Sequence, residues 1–188
     1  MKTFEFLIYM LGVMFIVFSA GFILAVISGI TYYKHYPQEH PVVNLPETLR
    51  QENYNNGSCV WATTVSLLRW QDQYKMANWV RKARSGGVAV SEILQSMEKA
   101  GFRFSGIDNG DVAFLEWACQ TRRGAAIVIH GGAHMVALVD MNQKRVCILD
   151  NNDIKRYKWM DREAVIKDWK KSGGIAFTPI YSPTSPLP

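Results

Sequence analysis

The spacing of apolar residues changes several times along the chain, and each change marks a boundary. Residues 6–30, "FLIYMLGVMFIVFSAGFILAVISGI", carry no charged side chain. Such a run exceeds the roughly 20 residues, at about 1.5 Å each, that cross a bilayer. Thr31, Tyr32 and Tyr33 close it, followed by Lys34, with aromatics at headgroup level and a cation beyond. The pattern predicts an N-terminal transmembrane anchor over residues 1–33. It is too long for the apolar stretch of a cleaved signal peptide, and Lys2 is the only base before it. Pro37, Pro41 and Pro46 then mark a linker over 34–48.

Organised sequence begins near Arg50. Residues 59–71 repeat apolar or small positions at helical spacing, through Val60, Thr64, Leu67 and Leu68. A second helical stretch, 73–84, ends before Gly86 and Gly87. Residues 90–101 are helical and stop at Gly101, and 111–124 follow the same plan, with Asp111 as cap and Gly124 as stop. The period then shortens. Residues 125–130, 134–141 and 145–150 are short and rich in β-branched side chains. The tight "MNQK" connection predicts a hairpin of the second and third. A helix over 162–174 and a strand over 175–180 follow, and the tail 182–188, "SPTSPLP", reads as disordered. Helices first and strands afterwards predict an α+β fold, with N-terminal helices packed on an antiparallel sheet, in one domain over 49–181.

Composition adds a charge of +5, from 21 basic and 16 acidic residues among 188. Lys2 and Glu5 cancel, so the excess lies beyond the anchor, in "RKAR" (81–84), "TRR" (121–123) and residues 153–171. No nucleic-acid motif accompanies it, so nucleic-acid binding is not expected. The apolar run implies contact with membrane lipid. Gly21, Ala25 and Gly29 fall on one face of it, a spacing that suits helix–helix association and is also common in membrane helices generally. Lys2 on one side and Lys34 and Arg50 on the other nearly balance, which leaves the side of the soluble domain open.

Three cysteines, Cys59, Cys119 and Cys147, make no disulfide framework and no metal-ligand spacing. No metal and no cofactor is expected. Cys119 and Cys147 sit in apolar patterns and read as inert core thiols. Cys59 differs: it stands where the Gly57-Ser58 turn becomes a helix, and unpaired N–H groups there favour a thiolate. His134 opens a strand, and Asp150, Asn151 and Asn152 end the next one. Adjacent antiparallel strands bring that histidine near that end. A Cys–His–Asp or Cys–His–Asn triad follows, in which the histidine moves protons and the third residue orients it. His130 leads into Gly131-Gly132 and reads as a turn residue.

"GSCVWATT" resembles the nucleophile segment of papain-like cysteine peptidases. Residues 50–180 are similar to the bacterial branch of that clan that removes double-glycine leader peptides, and to its stand-alone relatives. The likeness runs through Cys at a helix start, "GGAHMVALVD" at 131–140, "CILD" at 147–150 and the Trp169 helix with its closing strand. It implies a papain-like cysteine peptidase fold, a peptide or protein substrate, Cys59 as nucleophile, His134 as base and Asp150 as third member. Asn151 or Asn152 is the alternative, since papain itself uses Asn. The resemblance assigns Gln51 to the oxyanion hole, although the family's spacing of six residues before Cys falls on Asn53. Val60 stands where the branch has Gly after Cys, and Asn151 where it has Pro after Asp. No phosphate-binding loop of the transporter type occurs in these residues. A membrane-anchored thiol peptidase is the expected function. The competing expectations are a non-catalytic peptide-binding module of the same fold, another Cys–His–Asp acyl-transfer enzyme of amidase or transglutaminase type, and a structural membrane subunit.

Overall fold

The computed structural model describes residues 19, 41, 44–54, 57–83 and 86–180. The expected anchor with Gly21, Ala25 and Gly29, and the tail 182–188, lie outside the described residues, Ser19 apart. Among the described residues no helix is long and apolar enough to cross a membrane. The chain divides into two compact units, Met1–Glu39 and His40–Pro188, and every element below belongs to the second.

That unit runs α1 (Cys59–Trp70), α2 (Tyr74–Ala83), α3 (Val90–Lys99), β1 (Arg103–Ile107), α4 (Val112–Gln120), β2 (Ala125–Ile129), β3 (His134–Met141), β4 (Arg145–Leu149), β5 (Lys158–Asp161), α5 (Arg162–Lys171) and β6 (Ala176–Ile180). The six strands form one antiparallel sheet in the order β1-β6-β2-β3-β4-β5. The α+β expectation holds, and the expected helices and strands appear within a few residues of their expected limits. β1 and β5 were not expected. Both are sheet edges with little buried surface, and neither carries the β-branched, alternating run that marks an inner strand.

The strands alternate, and both sheet faces are covered. One face carries Ala126, Val128, Met135, Ala137, Val139, Cys147, Leu149 and Phe177 against α1, α2 and α3. The other carries Ala125, Ile127, Ile129, Val136, Leu138, Val146, Ile148 and Ala176 against α4 and α5. Burial on both sides explains why "AAIVI" is a continuous apolar run rather than an alternating one. α1 is the central helix. Every residue of it except Arg69 is buried, so its apolar positions extend all round. Its buried hydroxyls are satisfied: Thr64 Oγ1 donates to Val60 O at 2.7 Å, and Ser66 Oγ accepts from Gln51 N at 3.0 Å.

The short helices on the second face are capped as their sequences predict. Asp111 accepts from Ala113 N at 2.9 Å, and Asp161 accepts from Ala164 N at 2.8 Å. Trp169, fully buried, donates its indole N–H to Ile175 O at 2.8 Å and pins α5 to the closing strand. Within the stretch expected as linker, Leu45 is buried and its N–H donates to the Tyr157 hydroxyl at 2.9 Å. Arg50, also buried, donates to Leu45 O at 2.9 Å and Ile154 O at 2.6 Å, with its guanidinium 4.3 Å from the Tyr157 ring centroid. Residues 44–50 therefore brace the loop between β4 and β5.

Gly124 connects these layers. It has φ +66°, and a Cβ there would stand 2.9 Å from Leu138 O and 3.0 Å from Leu67 Cδ2 of α1. Gly124→Ala is expected to destabilise the domain by at least about 1–3 kcal/mol, from left-handed strain plus overpacking. Urea unfolding checks this as a lower midpoint with unchanged slope.

Candidate active site

The site forms where the start of α1 meets the start of β3 and the end of β4. Ser58 stands at the N-cap position of α1 but does not cap the helix. Its hydroxyl donates to Asn53 Oδ1 and accepts from Tyr54 N. The first turn of α1 is left facing the thiol of Cys59, which is 8% exposed.

His134 is held from both sides. Behind it, the turn His130–Gly132 is fastened to α5: His130 N donates to Asp168 Oδ2 at 3.1 Å, and Gly131 N donates to Ser172 Oγ at 2.8 Å. His130 adopts φ +56°, an uncommon conformation for a residue with a side chain, and so proves to be the expected turn residue. In front, His134 Nε2 lies 3.0 Å from Asp150 Oδ1. A carboxylate only accepts, so Nε2 carries the proton of that bond. The thiol of Cys59 donates to Gly57 O at 4.0 Å and lies close enough to the imidazole for each group to shift the other's protonation. With Nε2 engaged by Asp150, Nδ1 is the atom left for sulfur.

Asp150 is shared. Its Oδ1 also accepts from Asn152 N at 3.0 Å, and its Oδ2 accepts from Lys158 Nζ at 2.7 Å. The structure therefore brings Cys59, His134 and Asp150 together, with His134 and Asp150 directly bonded. Asn152 lies beside it, with Nδ2 3.4 Å from His134 Nε2 and Oδ1 accepting from Asn53 Nδ2 at 3.1 Å. Asn151 points the opposite way. Only 2% exposed, its Nδ2 donates to Met135 O at 2.7 Å and Thr63 Oγ1 at 2.9 Å, and approaches Cys59 O at 3.4 Å. Thr63 Oγ1 in turn donates to Met135 O at 3.0 Å. Asn151 thus ties the helix of Cys59 to the strand of His134, and among the described residues it makes no bond to the imidazole. Gln51 is buried, and its Nε2 donates to Glu52 O at 3.0 Å. It is Asn53, at the six-residue position, that joins the network around His134.

Sequence reasoning missed Lys158 and the role of Asn151. Lys158 lies on the unexpected strand β5, which pairs it with Ile148 of β4. No local pattern marks it. Asn151 carried a signal of a kind, since it replaces the proline that the resemblance leads one to expect.

Electrostatics separate the three thiols. Burial pushes the Cys59 thiol up, but the neighbouring His134 imidazole and the Met135 and Val60 backbones outweigh it and bring it below its ordinary value. The bond that His134 donates to Asp150, together with the neighbouring Cys59 sulfur, pushes the imidazole up to about 9 against the effect of burial. The His134 hydrogen bond holds Asp150 well below the usual carboxylate range, against burial, with Lys158 and Asn152 N helping. Burial, with Asp140 nearby, pushes both Cys119 and Cys147 up to about 12. The shifts of the Cys59–His134 pair favour thiolate and imidazolium together.

Two outcomes follow from this geometry. At pH 7, Cys59 is expected to react with iodoacetamide at least about 100-fold faster than Cys119 or Cys147, because only its thiolate is appreciably populated; mass spectrometry of the folded chain reads each site. Asn151→Ala leaves the Met135 carbonyl and Thr63 hydroxyl with fewer partners and is expected to cost about 1–3 kcal/mol, measured by thermal or urea unfolding.

No family model and no curated protein matches this chain. Solved structures do. The peptidase domain of Streptococcus ComA, a bifunctional transporter of a quorum-sensing pathway, aligns with TM-score 0.53 and 17% identity, over 71% of this chain and 99% of that domain. A C39-like peptidase of Bacillus anthracis aligns with TM-score 0.56 and 12% identity, over 77% of this chain and 99% of that one. A double-glycine motif protease from an AMS/PCAT transporter, solved with its leader peptide, aligns with TM-score 0.53 and 17% identity, over 77% and 98%. The described domain therefore has the papain-like fold of the double-glycine peptidase domains.

Proposed function

We propose that this chain is a thiol peptidase that cleaves peptide bonds through Cys59, His134 and Asp150. The observation that carries the reading is the 3.0 Å hydrogen bond of His134 to Asp150, beside a thiol at the start of a helix that the same imidazole influences. The fold shared with double-glycine peptidases supports it. The leader peptide bound to the transporter-borne protease supports a peptide substrate with small residues before the cleaved bond.

The chemistry runs as follows. The Cys59 thiolate adds to the scissile carbonyl carbon, and the carbonyl electron pair moves onto oxygen. Backbone N–H groups of the first turn of α1 stabilise that oxyanion. Asn53 supplies the side-chain donor in place of Gln51: its amide donates to Asn152, which in turn lies beside His134, whereas the Gln51 amide donates away from the site to Glu52 O. The tetrahedral adduct then expels the amine, which takes its proton from His134, and a thioester remains. Water attacks the thioester, His134 removes its proton, and the thiolate leaves. Asp150 keeps the imidazole oriented throughout. Residues 6–30 tether the domain to a membrane, a reading supported by the uncharged length of that run.

A peptide-binding module of the same fold is the second reading, favoured by the engagement of Gln51 away from the site. Turnover of peptides containing a Gly-Gly site separates the two. Cys59→Ala is expected to abolish cleavage while peptide binding persists, and His134→Ala to lower kcat/KM by roughly 100-fold or more. Cleavage that survives Cys59→Ala overturns the thiol mechanism. The rate is expected to rise with pH as Cys59 loses its proton, at a value below that of an ordinary thiol. It should fall as His134 loses its own near pH 9, because the leaving amine then finds no acid. A pH profile of kcat/KM reads both limbs.

A further inference from the structure

We propose that Lys158 is a positioning residue of this site: it fixes the Asp150 carboxylate and, through its charge, sets the pH window in which Cys59 and His134 form an ion pair. The inference rests on the thiol peptidase reading and extends the triad by one member.

A carboxylate turns easily about its last side-chain bond. Here each oxygen is taken by a different donor. Oδ1 accepts from His134 Nε2 and Asn152 N, both at 3.0 Å, and Oδ2 accepts from Lys158 Nζ at 2.7 Å. Rotation would break all three bonds. The Asp150 side chain is 17% exposed and that of Lys158 34%, so water competes only partly for either group. The sheet supplies the placement: β4 ends beside Asp150, the chain turns back through 151–157, and β5 begins with Lys158 in register with Ile148.

The other charged groups around the carboxylate and its histidine are accounted for among the described residues. From β3 comes His134, and through it the Cys59 thiol of α1. From the turn before β3 comes His130, whose ring lies parallel to that of His134 with centroids 6.3 Å apart and is paired with Asp168 of α5 at 3.2 Å. Within the β4–β5 loop, Arg156 pairs with Asp153 at 2.9 Å. Arg50 donates to Leu45 O, Ile154 O and Asn44 Oδ1. Besides the imidazole itself, Lys158 is the cation bonded directly to Asp150 among the described residues.

The sign follows from Coulomb's law. Lys158 offsets part of the Asp150 charge, so the carboxylate holds the imidazolium less firmly than it would alone. Without that cation His134 keeps its proton to higher pH. The Cys59 thiolate also loses a nearby positive charge, so the thiol keeps its own proton to higher pH. Both limits move upward.

The test measures the rate of Cys59 alkylation by iodoacetamide against pH in the full-length chain, for wild type, Lys158→Arg, Lys158→Met, Lys158→Glu and His134→Ala. Lys158→Arg is expected to match wild type. Lys158→Met is expected to move both inflections upward by roughly half a unit to one unit, and Lys158→Glu further. The differences should shrink in 1 M salt, as for any partly exposed charge. A lysine that served only to stabilise β5 would lower Tm and leave the inflections in place. Unmoved or downward inflections in Lys158→Met and Lys158→Glu overturn the inference. If the wild-type inflections survive His134→Ala, the thiol–imidazole pair itself fails, and Lys158 loses its role with it. A profile that depends on His134 but not on Lys158 overturns the role of Lys158 alone.

Discussion

The carbonyl of Met135 accepts one hydrogen bond from Thr63 of α1 and another from Asn151 beyond β4, and the geometry of the whole site hangs on that oxygen. The β3–β4 ladder ends at the Ala137–Leu149 pair, so the Met135 carbonyl has no backbone partner on that side. A buried carbonyl left there would be costly. Two side chains from separate parts of the chain satisfy it, and both act next to residues that matter: Thr63 is one helical turn beyond Cys59, Met135 follows His134, and Asn151 follows Asp150. Satisfying one peptide group therefore helps set the separation of Cys59, His134 and Asp150. The rigidity comes from the core rather than from the loops, because α1 is buried along nearly its whole length.

The same arrangement explains why three thiols in one small domain differ so much. Cys119 and Cys147 meet burial and the charge of Asp140, and both effects oppose ionisation. Cys59 meets burial too. It also meets an imidazole, and the imidazole is backed by a carboxylate that is itself neutralised on its far side by Lys158. Charge alternates along that chain from sulfur to ammonium. Each member is stabilised by the next, so the ion pair tolerates a site that is largely out of water.

Much of this was legible in the residues. The helix start at Cys59, the strand opening at His134 and the acidic strand end at Asp150 each carry a local signature: a turn before a helical period, a glycine pair before an apolar strand, a β-branched run closing on polar residues. The approach of His134 to Asp150 followed from hairpin geometry, whereas that of Cys59 depends on long-range packing of α1 against β3. What was not legible shares one property. β1 and β5 are edge strands stabilised by pairing with a neighbour rather than by their own apolar pattern. Lys158 gains its role only because β5 returns beside β4. Asn151 looks like a second polar residue in a turn until the unpaired Met135 carbonyl is seen beneath it. The choice between Gln51 and Asn53 was open for the same reason, since spacing along a loop does not say where each amide points. Leu45 falls in the proline-marked segment and Arg50 just beyond it, and only the fold shows that they brace the β4–β5 loop.

The order of the strands has a consequence for how the protein is made. β6 lies between β1 and β2 although it is the last strand in the chain, and the Thr63–Met135 bond spans 72 residues. During synthesis, Cys59 leaves the ribosome long before His134, Asp150 and β6 exist. Until they do, its helix has no sheet to pack against and its thiol has no imidazole beside it. A thiol in that condition titrates as an ordinary cysteine and attacks amides slowly. The thiol of Cys59 therefore leaves the ribosome unarmed and gains its electrostatic setting only on folding. The cost is kinetic: contacts of such long range close late, and the apolar strands wait exposed until they do.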